Sequence, residues 1–146
     1  LYWTLGLGAV LMVLAFLTAG KEENLKHYPQ VRAKEWSLKT ALLYAAGWAL
    51  YLTGYEFLFR GILLFPLVDT MGVWPAIAIN VGMYSATHIP KGLKETVGAI
   101  PLGLLLCILT LYSGTLWIAI FAHLIMALSN SFRALYLQPD MHFKFR

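Results

Sequence analysis

The chain has 146 residues, of which 60% are hydrophobic and only 12% charged, with a mean hydropathy of +0.68. Soluble domains carry about a quarter of their residues charged, so a water-facing surface is excluded and the class is an integral membrane protein, an all-α bundle of transmembrane helices in a single domain over residues 1–146. The net charge of +4 is read as a sign of orientation in the bilayer, with no nucleic acid as partner, and the single Cys107 excludes a disulfide framework or a cysteine-based zinc site.

Leu1 to Gly20 carries no charge and is long enough to span. The run starts without Met or a basic leader, so the chain is expected to be part of a longer protein and the run is not read as a signal peptide. The stretch KEENLKHYPQVRAKE, within Lys21 to Ser37, reads as a solvated loop that can lie on the membrane surface. Leu38 to Leu67 is longer than one simple span, which a tilted, kinked or protruding helix would fit. Val73 to His88 or Pro90 is a further span, Thr96 to Leu111 another, and Thr115 to about Leu137 the last, set off by the turn Ser113-Gly114. About five spans result. Lys21, Lys26, Arg32, Lys34, Lys39, Lys91, Lys94, Arg133, Lys144 and Arg146 then fall on one side, and the connections at Asp69 to Gly72 and Tyr112 to Gly114 hold no Lys or Arg. The positive-inside rule makes that side cytoplasmic, the C-terminus included.

Few ionisable groups lie within the apolar runs. Glu56 is the one acidic residue and Arg60 the one basic residue well inside a run; His123 lies within a span and His88 near the end of one. Intramembrane ionisable residues are costly and point to function by default. Glu56 and Arg60 are four apart, so they share a helix face, and the bland reading is an ion pair that does no chemistry. Asn80, Tyr84 and His88 recur every four residues along one face, and for the first two a packing stripe is favoured. Ala127, Asn130 and Ser131 follow His123 on its side of the helix. One carboxylate and two imidazoles on three helices can ligate zinc or a similar divalent metal, or activate water directly. Arg60 would then hold Glu56 in place.

These residues resemble the CPBP family of intramembrane proteases, also called the CAAX protease, bacteriocin-processing or Abi family. Its pattern is Glu-Glu-x-x-x-Arg, then Phe-x-x-x-His, then His-x-x-x-Asn. Here the motifs read YEFLFRG at Tyr55 to Gly61, YSATH at Tyr84 to His88 and HLIMA at His123 to Ala127, within a core from residue 38 to 137. The resemblance implies an intramembrane endopeptidase acting on a membrane-associated peptide or protein, prenylated CAAX-like or carrying a leader peptide, in the lipid bilayer of the bacterial cytoplasmic membrane. It implies catalytic roles for Glu56, Arg60, His88 and His123, with Glu56 activating water alone or on a divalent metal such as zinc held with His88 and His123. Two positions depart from the pattern. Tyr55 stands where the first glutamate, the usual base, is found, and Ala127 stands where the asparagine is found. The alternative is therefore a catalytically silent member, a scaffold or a bacteriocin-immunity factor.

Overall fold

Uncharged apolar runs in a bilayer must close their backbone hydrogen bonds internally, and a helix does so within one segment. The computed structural model describes residues 2–144, with side chains from Gly6 onward; Leu1 of the first expected span and Arg146 of the basic set lie outside the described residues. Seven α-helices follow in order: α1 Tyr2–Thr18, α2 Glu22–His27, α3 Leu38–Glu56, α4 Phe65–Met71, α5 Val73–Ala86, α6 Leu93–Ser113 and α7 Trp117–Leu137. A π-helical segment, Phe57–Leu64, joins α3 to α4 without a break. Two short strands, β1 Glu35–Trp36 and β2 His142–Phe143, pair in parallel.

Among the described residues, three helical runs are long and apolar enough to cross a membrane: Leu38–Met71, Leu93–Ser113 and Trp117–Leu137. Their outward faces are apolar, with Leu50 at 78% and Leu93 at 77% exposure, as suits lipid rather than water. The expected count of about five spans becomes three that meet this length, with α1 and α5 as shorter helices. The 14 residues of α5 rise about 21 Å, less than the roughly 30 Å hydrocarbon core. It stops at Ala86 because His-Ile-Pro-Lys closes a 3₁₀ turn, Ile89–Lys91, with His88 as its cap. The turn at Ser113-Gly114 is as expected: Gly114 sits at φ +65 and its N–H bonds Thr110 O at 2.9 Å, the left-handed helix stop that glycine adopts without strain.

The chain divides into two compact units, Leu1–Leu52 with Phe121–Arg146, and Thr53–Ile120. The core of the first holds Trp36, Tyr44, Trp48, Leu52, Ala134 and Leu135. Tyr44 packs edge-on against Trp36 at 5.2 Å and Phe132 at 6.2 Å, and its hydroxyl donates to Ser131 Oγ at 2.9 Å. The connection Lys21 to Ser37, expected as a solvated loop, is instead folded in. Trp36 is fully buried and donates Nε1–H to Ala33 O at 3.0 Å. Gln138 Nε2 donates to the carbonyls of Leu25 and Tyr28, and the N–H groups of His142 and Lys144 donate to Lys34 O and Trp36 O. Charge counting misses this because the two apolar rings, Tyr28 and Trp36, anchor an otherwise polar stretch. Lys144 Nζ lies 2.8 Å from Glu35 Oε2, and this hydrogen bond and charge hold the exposed Glu35 carboxyl below its ordinary range.

In the second unit Leu64, Ala76, Ile77, Val81 and Cys107 form an apolar cluster. Here α5 and α6 approach closely at Gly103: a Cβ there would lie 2.9 Å from Tyr84 Cδ1, so glycine is what lets the buried Tyr84 ring lie flat against α6.

Candidate active site

Glu56 ends α3 and Arg60 lies one turn on, inside the π segment. Arg60 Nη1 is 2.9 Å from Glu56 Oε2, and both side chains are fully buried. The guanidinium also lies over the Tyr84 ring, 4.4 Å from its centroid, and Nη2 reaches Gly103 O at 3.4 Å. The shared helix face read from the spacing is therefore an ion pair clamped by an aromatic ring. Such stacking suits the planar guanidinium better than an ammonium.

A π segment widens the helix and shifts its hydrogen-bond ladder, and such segments occur frequently at functional sites. Here Asn80 braces it. Its Nδ2 donates to Phe59 O at 2.5 Å, and its Oδ1 accepts from Cys107 Sγ–H at 3.2 Å. The packing role expected of Asn80 is thus specific: it ties the π segment to α5, and Cys107 ties Asn80 to α6. Asn80→Leu should cost about 1–3 kcal/mol, the penalty for leaving a buried carbonyl without its donor. An apparent melting temperature within error of the wild type, measured in detergent, would show that the brace carries nothing.

The polar end of α5 meets Tyr55. The half-buried Tyr55 Oη lies 2.6 Å from Thr87 Oγ1, and Thr87 Oγ1 donates to Tyr84 O at 2.7 Å. Thr87 has one hydroxyl proton, and a carbonyl can only accept it, so Tyr55 must donate to Thr87. His88 Nδ1 lies 3.1 Å from Tyr84 O and 3.2 Å from Thr87 Oγ1. Facing a carbonyl, Nδ1 carries the proton in the neutral ring, which places the acceptor lone pair on Nε2. Thr87 was not singled out by sequence; the one signal was its position beside His88 at a helix end.

His123 lies in α7 with 6% exposure and belongs to the first unit, whereas Glu56, Arg60 and His88 belong to the second. The polar residues after it serve packing: Asn130 Nδ2 donates to Asn24 Oδ1 at 3.1 Å and Ser131 accepts from Tyr44, while Ala127 is buried among apolar neighbours. The model of the family "Type II CAAX prenyl endopeptidase Rce1-like" matches residues 36–129. The chain belongs to this family. No curated protein and no solved structure matches the chain.

The type II CAAX endopeptidase match runs from β1 through α3, α5 and α6 into α7, so the three motifs read from sequence all fall within it, and the resemblance is borne out. Set against the family pattern, the position of the first glutamate is filled by a phenol bonded to Thr87, and the second glutamate is engaged by Arg60. A metal ion at this centre requires three or more protein donors. Among the described residues no three His, Cys, Asp or Glu side chains form such a group, and the Glu56 carboxylate is already neutralised by a guanidinium.

Proposed function

We propose that the chain is a CAAX-type intramembrane endopeptidase in which His88, not Glu56, takes the proton from the attacking water. The observation that supports this is His88 Nδ1 at 3.1 Å from Tyr84 O, which in the neutral ring makes Nε2 the basic nitrogen. A general base must reach the water it activates, and the buried Glu56 carboxylate is already engaged by Arg60. In this reading water loses a proton to Nε2, its oxygen adds to the scissile carbonyl, and the imidazolium returns the proton to the leaving amine as the C–N bond breaks. Glu56 and Arg60 tie the end of α3, which carries Tyr55 to Thr87, to the π segment that follows it. The substrate on this reading is a membrane-associated peptide or protein of the prenylated CAAX type, as the family match suggests.

A second reading has its own observation. Tyr55 carries a phenol in place of a carboxylate, and the Ala127 side chain offers no hydrogen bond to an oxyanion. On this reading the family fold is kept without hydrolysis and the protein holds its partner as a scaffold or immunity factor. Reconstitution in phosphatidylcholine vesicles with a farnesylated CAAX-type peptide separates the two. Release of the C-terminal tripeptide by the wild type, with kcat lowered at least about 100-fold in His88→Ala, supports the endopeptidase. Peptide binding by the wild type without any release supports the silent fold. Release that vanishes with a chelator and returns with zinc would put Glu56, His88 and His123 back as metal ligands and overturn His88 as the base.

A further inference from the structure

One cation in the first unit has a setting that neither the fold nor the motifs use. Arg133 lies one turn from the end of α7. Its guanidinium carbon sits 4.9 Å from the centroid of the Phe16 ring on α1 and 5.3 Å from that of Tyr136. Its Nε is buried without a hydrogen-bond partner, and among the described residues no carboxylate pairs with it. Several other basic side chains find a partner: Lys26 pairs with Glu22, Lys91 with Glu95, Lys144 with Glu35, and Arg32 donates to the carbonyls of Leu25 and Lys26. Arg133 is held by rings alone.

Its surroundings identify the depth. Tyr136 is 79% and Phe16 52% exposed, and exposed aromatic rings at the end of an apolar helix mark the boundary between hydrocarbon and headgroups. The turn after α1 lies against the same stretch of α7: Asn24 bonds Asn130, and Gly20 meets Leu137 Cδ1 at 3.3 Å from a built Cβ. Asn130, Arg133 and Leu137 are three and four residues apart, hence on one face. Lys21, which also has no ion pair among the described residues, directly follows Gly20 and so emerges beside this end of α7. Two cations without an ion pair among the described residues, one a planar fork held by stacked rings, thus lie at the same end of the α1–α7 pair.

We propose that Arg133 and Lys21 form a binding site for the phosphate of an anionic phospholipid headgroup, with the lipid's acyl chains lying along the exposed apolar face of α1. A guanidinium offers two parallel donors to phosphate oxygens, and the stacked rings fix its plane beforehand. The occupant is a lipid rather than free phosphate because the flanking groups, Val13, Phe16 and Leu17, are exposed and apolar, a surface that acyl chains cover and free phosphate does not.

The test is lipid retention. Purified protein in detergent is mixed with phosphatidylglycerol or phosphatidylcholine, and bound lipid is counted by native mass spectrometry. The expected result is preferential retention of phosphatidylglycerol, falling about fivefold in Lys21→Gln, the effect of one basic residue near an anionic surface, and further in Arg133→Gln. Arg133→Lys, which keeps the charge but not the planar fork, should retain less than the wild type and more than Arg133→Gln. If Arg133→Gln fails to fold, Lys21→Gln with Arg133→Lys carries the test. Equal retention of the two lipids by the wild type, unchanged retention in all variants, or displacement of the lipid by millimolar inorganic phosphate would each overturn the proposal.

Discussion

Arg60→Met should destabilise the protein by about 3–5 kcal/mol, the cost of removing one partner from a buried ion pair, and lower the apparent melting temperature by on the order of 10 °C. Both charges are buried completely, so the stranded Glu56 carboxylate has no water to turn to. The guanidinium also supplies the contact to Tyr84 and the bond to Gly103 O, which disappear with it. The double variant Glu56→Gln, Arg60→Met separates the causes. With both charges gone, most of the loss should return, because uncharged side chains of similar volume often replace a buried pair at little cost. Thermal unfolding in detergent, followed by tryptophan fluorescence for all variants, gives the coupling energy. A single variant as stable as the wild type would mean that Glu56 is not committed to Arg60, and would return it to the candidates for water activation.

Trp36→Ala is the second large effect, expected at about 3–5 kcal/mol for emptying a fully buried indole site. The indole packs on Tyr44 at 5.2 Å and stands 6.4 Å from Phe143, so its loss should loosen both the Lys21 to Ser37 connection and β2. Trp36→Phe keeps the ring and loses the bond to Ala33 O, and should cost nearer 1 kcal/mol. Limited proteolysis at Lys26 and Lys34 reads the local part: cutting should quicken sharply in Trp36→Ala and little in Trp36→Phe. Identical cutting in all three proteins would mean that the connection is solvated after all.

The residues that break the apolar pattern were the legible ones. Glu56 and Arg60 stood out because charge in a hydrophobic run has few physical explanations, and the spacing of four gave their pairing. His88 was legible as a helix end because proline follows it at two residues. Periodicity could not reveal the π segment. The run Leu38 to Leu67 was visibly too long, yet a π segment needs no special residue, only partners such as Asn80 that satisfy its displaced carbonyls. Those partners come from α5 and α6, far along the chain. For the same reason Tyr55 could be seen as a departure from the family pattern, whereas its bond to Thr87 could not. The buried Trp36 was hidden by its charged neighbours, since composition averages a window in which a single ring decides the outcome.

The pairing of β1 with β2 has a consequence in time. Trp36 leaves the ribosome 107 residues before Phe143, its partner in register. At about 5–20 residues per second, the indole waits on the order of 5–20 s for the strand that covers it, while every intervening span is threaded into the bilayer. During that interval the ring is a sticky mark on an unfinished chain, open to chaperones and proteases. Closure of the clasp therefore reports that synthesis has passed α7, and a stalled or shortened chain would keep the mark exposed.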